Sequence, residues 1–359
     1  MSAEPHQPES TNPDKEEADR AHCDWNFRLA TVVSPPASRP EASDVIGAIE
    51  LDPSDRLLAT AGIARKIRFY TLATLLPHNP PAFLSHSSAC DFYLCTPAKL
   101  SSLRFRPATG SRLIAAADYD GVVTEYDLEN RESVFERHDH NGRRVWSVDF
   151  SAAGDLGASG SDDGVAKVWD PRSSAAGSPV HAGTGSVCCV EFDRVDNGPY
   201  LALGCADRRA YVYDLRATGA GPAAVFGGHE RTVTYVRFMG GVRMLSSGTD
   251  GSHRLWEAGS RELRAYRGHR NGRSFVGMAV WREGGLIGCG SETNEVFVYD
   301  LRWGEPIWVR GFGPAESGFT SAVNWRGAGA GGTDDCTLIA GGSDGVLQFF
   351  SCRRNQPAD

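Results

Sequence analysis

Three stretches of the sequence carry residue types that could do chemistry. GGSDG at 341–345 matches the G-x-S-x-G pattern around a serine nucleophile, GAGAGG at 327–332 matches the G-x-G-x-x-G pattern of a dinucleotide loop, and Cys188 adjoins Cys189. Both glycine patterns need a helix directly after the loop, whereas β-type alternation surrounds GGSDG and no helical pattern follows GAGAGG. Neighbouring cysteines on a strand point to opposite faces, which favours core packing over redox chemistry. We therefore predict no catalytic residue and no enzyme activity.

A further group of residues could bind a partner. Aromatic and basic side chains stand near the starts of alternating segments, at Lys99, Tyr119, Arg144, Trp146, Arg231 and Phe275. Aromatic rings supply burial and cations attract acidic groups, so such a set suits a short peptide with an apolar anchor and acidic neighbours. The residue types fit an alternative equally well, in which Trp146 and Phe275 fill the core and the charges form a solvated rim. The elements that position these residues decide between the two.

Seven copies of one sequence unit supply those elements. Each unit alternates apolar and polar residues, turns, and ends in an aromatic residue that an acid often follows, as in SDDGVAKVWD at 161–170. From the second unit to the sixth the ends are 43 or 44 residues apart, and the seven end residues are Tyr70, Tyr126, Trp169, Tyr213, Trp256, Tyr299 and Phe350. This period with a Trp-Asp-like ending is the signature of WD repeats, each of which forms a four-stranded blade. The sequence predicts an all-β, seven-bladed WD-repeat β-propeller.

An alternating strand before each end residue is predicted to line the central channel. These inner strands cover 45–51, 100–105, 145–150, 187–192, 233–238, 275–280 and 319–325. Only nine residues follow Phe350, too few for the last outer strand, whereas DWNFRLATVV at 24–33 alternates and precedes the first inner strand. We predict that this N-terminal strand completes blade seven and closes the ring, which removes a free sheet edge.

Composition sets the domain boundaries. Residues 24–353 are predicted to form the propeller, and residues 1–23, which are polar, acidic and proline-containing, are predicted to be a disordered tail. Residues 354–359 are predicted to be a short disordered tail at the other end. Insertions at 75–99 and around 326–335 lengthen the first and last units.

Two of the units carry a polar set that we assign to the scaffold. WD families use a His, Ser, Asp and Trp set as a hydrogen-bonded chain, and the two sets are His140, Ser159, Asp163 and Trp169, and His229, Ser246, Asp250 and Trp256. A buried and fully paired network of this kind rigidifies a sheet, and truncating one member leaves the others without partners.

Bulk properties exclude several classes of protein. No run of about 18 apolar residues is present, so no transmembrane helix is expected, and the N-terminal segment lacks the apolar stretch of a secretion signal. The nine cysteines are irregularly spaced without a C-x-x-C pair, which favours reduced thiols over a zinc site or a disulfide framework. A formal charge of −8 argues against nucleic-acid binding by the whole chain. We expect no metal, no cofactor, no nucleic acid and no membrane partner.

Several segments resemble a plant family. RRVWSVDFS, GHERTVTYVRF and SETNEVFVYD are similar to the repressor of UV-B photomorphogenesis WD-repeat proteins, and also to the WD domain of the constitutively photomorphogenic ubiquitin ligase and its phytochrome-suppressor relatives. The similarity covers roughly residues 24–352. The ligase has a RING finger and a coiled coil before its propeller, whereas this chain has only some twenty polar residues there, which points to the stand-alone repressor group.

The resemblance implies a ligand for the propeller. In that family the top face binds Val-Pro-type peptides, including the C-terminal tail of the UV-B photoreceptor, and the contact set carries over to the six residues from Lys99 to Phe275 named above. It further implies that binding returns the photoreceptor to its inactive dimer and represses UV-B signalling. Two departures concern specificity: Arg231 replaces a Lys of the ligase, and Gly272 replaces an acidic residue.

A different function class has its own signal. WDPR at 169–172 and YDLR at 213–216 and 299–302 place Arg172, Arg216 and Arg302 two residues after an Asp. This pattern resembles the motif by which WD proteins dock on the adaptor of cullin-4 ubiquitin ligases. The alternative function is therefore a substrate receptor that targets photomorphogenesis factors. A purely structural interpretation is that each Arg only pairs with acidic residues of its blade. The constitutively photomorphogenic ligase is a further candidate partner, and residence in the nucleus and cytoplasm is expected.

Overall fold

The described residues form seven β-sheets, of which six are antiparallel and the seventh is mixed. The computed structural model describes residues 21–35, 44–76, 82–241, 243–257, 259–313, 318–327 and 334–355, and within these ranges the chain forms 29 strands, two single-turn helices and one 3-10 turn. The sheets are arranged as the blades of a β-propeller. The predicted all-β, seven-bladed WD-repeat fold is therefore confirmed. Within the described residues no helix is long and apolar enough to cross a membrane.

The strands are numbered along the chain, and the strands of each blade are given from the channel outward. Blade one contains β2 (Ile46–Leu51), β3 (Leu57–Gly62), β4 (Lys66–Thr71) and β6 (Phe92–Cys95). Blade two contains β7 (Leu100–Phe105), β8 (Leu113–Asp118), β9 (Val123–Asp127) and β10 (Glu132–Arg137). Blade three contains β11 (Val145–Phe150), β12 (Gly157–Ser161), β13 (Val165–Trp169) and β14 (Ser178–His181).

The remaining blades follow the same order. Blade four contains β15 (Val187–Phe192), β16 (Tyr200–Cys205), β17 (Arg209–Asp214) and β18 (Ala224–Gly227). Blade five contains β19 (Val233–Gly240), β20 (Arg243–Gly248), β21 (Ser252–Glu257) and β22 (Arg261–Arg267). Blade six contains β23 (Met278–Trp281), β24 (Leu286–Gly290), β25 (Glu295–Asp300) and β26 (Pro306–Gly311), and blade seven begins with β27 (Thr320–Gly327), β28 (Asp335–Gly342) and β29 (Leu347–Arg354).

The hydrophobic core lies between neighbouring blades. Val145, Val148 and Phe150 of the inner strand of blade three are buried together with Ala115 and Ala117 of blade two. From Val148 to Phe150 the strand alternates, whereas a shift of register between Val145 and Ser147 lets both Trp146 and Ser147 line the channel. The pattern that predicted the inner strands is thus the pattern that separates the inter-blade core from the channel wall.

The inner strand of blade six starts later than predicted. It begins at Met278 rather than Phe275, because the preceding residues are held by other contacts. Gly277 lies so close to blade seven that an added Cβ would be 2.5 Å from the backbone nitrogen of Val323. The backbone N–H groups of Arg273 and Ser274 donate to the carboxylate of the next turn rather than to a strand. Phe275 therefore sits in a loop.

The N-terminal strand closes the ring as predicted. β1 (Trp25–Ser34) pairs antiparallel with β29, from Trp25 opposite Arg354 to Val33 opposite Leu347. The strand β29 reaches Arg354, one residue into the tail assigned to 354–359, and the N–H of Asn355 donates to the carbonyl of Asp24 at 2.7 Å. Residues 1–20 and 356–359 of the two predicted tails lie outside the described residues, as does 328–332 of GAGAGG.

The insertion between the third and fourth strands of blade one supplies an element that the repeat pattern did not indicate. Helix α1 (Leu72–Leu75) follows β4, and β5 (Ala82–Ser85) adds a fifth strand to blade seven by pairing parallel with β1. Helix α2 (His86–Ala89) then places the buried His86 ring between the hydroxyl of Tyr70, at 2.8 Å, and the carbonyl of Gly345, at 2.7 Å. The insertion thus joins blade one to the strand that closes the ring.

The scaffold set of blade five is fully assembled, and that of blade three is assembled in part. In blade five His229 contacts the Asp250 carboxylate at 3.0 Å and the Ser246 hydroxyl at 2.8 Å, and the indole N–H of Trp256 donates to that hydroxyl at 2.8 Å. Burial alone would raise the pKa of Asp250, but the hydrogen bond and charge of His229 lower it overall.

Blade three repeats part of this arrangement. His140 contacts Asp163 at 2.8 Å and Ser159 at 2.7 Å. Trp169 lies beneath the guanidinium of Arg137, whose carbon is 5.2 Å from the ring centre. These contacts tie the turns of each blade to its strands, which suits the scaffold role assigned to them.

Candidate peptide-binding site at the channel mouth

The predicted binding residues lie on one face of the propeller. The first and third strands of a blade run in the same direction, because each pairs antiparallel with the second strand. The starts of inner strands and the ends of third strands therefore lie on opposite faces, here named the upper face and the lower face. Lys99, Arg144, Arg231 and Phe275 precede inner strands, and Tyr119 lies in a turn after a second strand. All belong to the upper face.

Four of these residues form a continuous stack. The Arg144 guanidinium carbon lies 4.2 Å from the ring centre of Tyr119 and 4.6 Å from that of Trp146. The Trp146 ring lies 4.5 Å from the Phe275 ring. A guanidinium between two aromatic faces is held by cation–π attraction. The structure therefore brings Tyr119, Arg144, Trp146 and Phe275 together, and all four remain partly exposed.

The stack stands at the mouth of the central channel. A cavity of about 370 Å³ is lined by Tyr119, Trp146 and Phe275, among other residues. Each blade contributes one residue near the start of its inner strand to the wall, and the seven residues are Gly47, Ser101, Trp146, Cys188, Thr234, Gly277 and Ser321. Six of them hold equivalent positions, whereas Gly277 lies one position further along the chain than the counterpart of Trp146 in blade six. Six of these side chains are small, which leaves the space open, and among these seven positions only that of blade three holds a large ring.

Trp146 is held by a residue that sequence reasoning missed. Its indole N–H donates to the carboxylate of Asp162 at 2.5 Å, across the turn that follows β12. Asp162 is exposed, and its acidic type in the SDDG turn is the signal that could have pointed to it. Neither Trp146 nor Phe275 belongs to a buried core cluster of the described residues. The geometry disfavours the core-filling alternative, while peptide binding by these residues stays a prediction.

The loop before β23 positions Phe275. The Glu292 carboxylate accepts the N–H groups of Arg273 at 2.6 Å and Ser274 at 2.7 Å. Although burial raises the pKa of Glu292, these backbone N–H groups lower it overall. The guanidinium of Arg231 donates to the carbonyl of Gly272 at 3.2 Å. Glu292 was not identified from the sequence, because its partners are backbone groups of a neighbouring loop.

Positive charge surrounds the cavity. Lys99, Arg143, Arg231 and Arg273 are exposed, and none forms an ion pair with a residue that the structure describes. The carbonyl of Lys99 accepts the N–H of Tyr119 at 2.9 Å, which fixes the start of the lysine side chain beside the stack. Unpaired cations around an apolar cavity attract a ligand that carries acidic groups.

Comparison with known proteins gives the family. The family model described as "WD domain, G-beta repeat" matches residues 131–170 and 221–257. The chain is 54% identical over 333 residues to WD repeat-containing protein RUP2 from Arabidopsis thaliana, which covers 87% of the chain and 89% of that relative. The identity to RUP1 from the same plant is 49% over 344 residues, with 93% and 86% covered. The chain belongs to the RUP family of WD-repeat proteins. The predicted resemblance is confirmed.

The RUP-family propeller also has more distant relatives. E3 ubiquitin-protein ligase COP1 from Arabidopsis thaliana is 34% identical over 321 residues, which is 86% of this chain but only 45% of that relative. Protein SPA1-RELATED 3 is 35% identical over 327 residues, or 37% of its own length. The shared part is therefore the propeller-sized portion of these larger proteins.

The three arginines assigned to a cullin adaptor lie on the lower face of this RUP-family chain. Arg172, Arg216 and Arg302 follow third strands and pair with Asp170, Asp214 and Asp300 at 3.0, 2.6 and 2.8 Å. The Arg172 and Arg216 side chains are 71% and 69% exposed, and the hydrogen bond from Arg216 lowers the pKa of Asp214 to about 2. Arg302 also bonds Asp24 at 2.6 Å, next to the closing strand. The pairing with blade acids is present, and adaptor docking stays a prediction.

Proposed function

We propose that the chain is a non-enzymatic WD-repeat regulator of the UV-B response. On this proposal the upper face binds the C-terminal tail of a UV-B photoreceptor at a Val-Pro-type motif, returns the photoreceptor to its inactive dimer and thereby represses signalling. The observation that carries the proposal is the stack of Tyr119, Arg144, Trp146 and Phe275 over the channel cavity of a RUP-family propeller. The regulator would act in the nucleus and the cytoplasm.

The cavity suits a compact apolar anchor. A Val side chain and a Pro ring are small enough for a space of about 370 Å³ bordered by aromatic rings, and each square ångström of apolar surface buried contributes ~25 cal/mol. Proline also enters with little conformational entropy to lose, because its backbone is already restricted. The exposed cations Lys99, Arg143, Arg231 and Arg273 then favour peptides with acidic residues beside the anchor.

Asp162 restricts where the acidic residues of a bound peptide can lie. Its carboxylate already accepts the indole N–H of Trp146, so the indole offers the ligand an apolar ring rather than a free donor. An acidic peptide residue placed next to Asp162 would meet a like charge. We therefore expect the acidic residues of a bound peptide to lie towards Lys99 or Arg231 rather than towards the turn that carries Asp162.

A two-part experiment tests the proposal. The full chain is titrated with the photoreceptor tail peptide and with the same peptide carrying Ala-Ala in place of Val-Pro, and the replacement should weaken binding by roughly tenfold or more. The return of photoreceptor monomer to dimer is then followed with and without the chain. Equal affinity for both peptides would contradict the binding site. Peptide binding without faster dimer formation would contradict the repressor mechanism and leave the site intact.

The second candidate function is a substrate receptor of a cullin-4 ubiquitin ligase. It is favoured by the exposed Arg172 and Arg216 on the lower face, opposite the peptide site, and by the relative named E3 ubiquitin-protein ligase COP1. Each guanidinium is held by its own Asp, so the planar donor groups are presented in a fixed orientation. The two functions are compatible, because the two faces are separate.

Adaptor pull-down separates the two functions. Arg172 and Arg216 changed together to Ala should abolish capture of the cullin-4 adaptor while tail-peptide affinity stays unchanged. Arg302 is less suitable for this test, because its bond to Asp24 would couple the change to ring closure. Undiminished capture by the double variant would remove the receptor hypothesis. The exposed Arg267, on the outer strand of blade five, serves as a matched control when changed to Ala.

A further inference from the structure

Blade six carries an altered version of the scaffold set. In blade five Ser246 lies opposite Arg254 in the ladder, two residues before the terminal aromatic, and in blade six Cys289 occupies this same register position opposite Phe297. His269 follows a glycine as the scaffold histidine of blade five does. Blade six therefore keeps the His but presents a thiol where its neighbour presents a hydroxyl.

A second histidine approaches from blade five. His253 lies three residues before the terminal aromatic, a position at which other blades bury Ala166, Ala210 and Val296. His253 is fully buried, and neither of its ring nitrogens has a hydrogen-bond partner among the described residues. Burying an unpaired polar group at an apolar position is costly, and such groups are rare in native proteins. A ligand for these nitrogens would remove the cost.

The three side chains converge in the buried space between blades five and six. The ligand atoms of His253, His269 and Cys289 all lie within 4.8 Å of one another. The His269 ring contacts the Tyr299 hydroxyl through Nδ1 at 2.9 Å, which leaves its Nε2 as a further nitrogen without a described partner. A hydrogen bond on one ring nitrogen that leaves the other free is the arrangement by which proteins orient metal-binding histidines.

We propose that His253, His269 and Cys289 bind one thiophilic d10 ion, Zn²⁺ or Cu⁺, that joins blades five and six. Two imidazoles and one thiolate are a ligand set that both ions favour. Neither ion requires a fixed geometry from its d electrons, so a three-ligand site from two blades is compatible with both. The sequence predicted no metal site, because the ligands come from three separate elements and form no spacing motif.

Metal binding releases one proton and leaves the site with a net charge of +1 for Zn²⁺ or zero for Cu⁺. The Cys289 thiol loses its proton to solvent as the sulfur–metal bond forms, both imidazoles bind in their neutral form, and no electron is transferred. Burial raises the pKa of the Cys289 thiol, so the thiol stays protonated until an ion supplies the positive charge that stabilises the thiolate. The two imidazole rings stack 4.2 Å apart and only 10° from parallel. They must tilt to share an ion, because each ring binds a metal in its own plane.

The metal content of the purified full chain tests the proposal. The chain is produced in cells supplied with zinc and, separately, with copper, washed with a weak chelator and measured by elemental analysis. About one ion of zinc or of copper per chain is expected. The culture whose purified chain contains the ion, zinc-supplied or copper-supplied, identifies the metal. Absence of both metals from the wild-type chain would overturn the proposal.

Two variants locate the ion. Cys289→Ser should fold, because blade five holds a serine at this position, and His253→Ala should fold, because two other blades hold alanine there. Each should lose the ion, and each should melt at the same temperature with and without added metal. Cys205→Ser is the matched control, since Cys205 is equally buried outside the cluster, and it should keep the ion. Wild-type metal content in both cluster variants would also overturn the proposal.

Discussion

Replacing Trp146 separates a binding role from a structural one. The side chain is partly exposed, donates one hydrogen bond to Asp162 and packs on Phe275. Truncation to Ala removes an aromatic pair worth ~0.5–1.5 kcal/mol and a surface hydrogen bond worth ~1 kcal/mol. We therefore expect a loss of roughly 1.5–2.5 kcal/mol in the free energy of unfolding, below the ~3–5 kcal/mol cost of deleting a buried Trp.

The Trp146→Ala change should reduce peptide affinity by a larger fraction than it reduces the stability of the fold. A central aromatic anchor typically contributes ~2 kcal/mol or more to a small interface, which is about thirtyfold in affinity. Trp146→Ala should thus weaken an acidic Val-Pro peptide at least about tenfold, while the melting temperature falls by only a few degrees. Trp146→Phe keeps a ring but loses the bond to Asp162, so its affinity should lie between those of Ala and wild type.

Peptide titration by calorimetry, together with thermal melting, provides the assay. Trp308→Ala is the matched control, because Trp308 is also partly exposed and stacks on Phe27 with ring centres 4.6 Å apart, but on an outer strand. It should leave peptide affinity unchanged. An unfolded Trp146→Ala chain, or one that binds the peptide as tightly as wild type, would refute the assignment of the upper-face site.

Three further predictions concern closure, charge and pH. Deleting residues 1–33 removes β1 and exposes β29, so the melting temperature should drop strongly. Deleting residues 1–20 should change the melting temperature little. Equal melting temperatures of the two truncated chains would contradict the role of β1 in closing the ring. Lys99→Ala and Arg144→Ala should each weaken the peptide less than Trp146→Ala, with a larger effect at low salt, where exposed charges are least screened; a salt-independent loss for Lys99→Ala would exclude an electrostatic role. Burial lowers the pKa of His86, His253 and His269, and that of His269 falls to about 4. Because these residues are neutral in the folded chain, the unfolded chain binds more protons at low pH. In the metal-free chain the free energy of unfolding should therefore fall as the pH drops below about 6.5. Denaturant unfolding across this range checks the sign, and stability that does not change down to about pH 5 would contradict it.

Local patterns in the sequence determined the blades and the closure of the ring. The terminal aromatic residues Tyr70, Tyr299 and Phe350 are each almost fully buried. Because each blade needs such a buried aromatic at the end of an alternating strand, the aromatic recurs at a regular spacing in the sequence. The N-terminal strand was predictable for a similar reason, since Trp25–Ser34 alternates and one blade lacked a strand. Trp146 stood out because equivalent positions in the other blades hold smaller residues. Each of these signals lies within one unit or in the comparison of equivalent positions.

Contacts between residues far apart in the chain were decided only by the tertiary structure. β5 pairs parallel with β1 across about fifty residues of sequence. Phe275 lies in a loop rather than in the predicted strand, because the Glu292 carboxylate binds the backbone before it. His253 and Cys289 meet across two blades. None of these contacts has a periodic signal, because parallel pairing, side-chain-to-backbone bonds and inter-blade clusters depend on where the fold places each segment rather than on its neighbours in sequence.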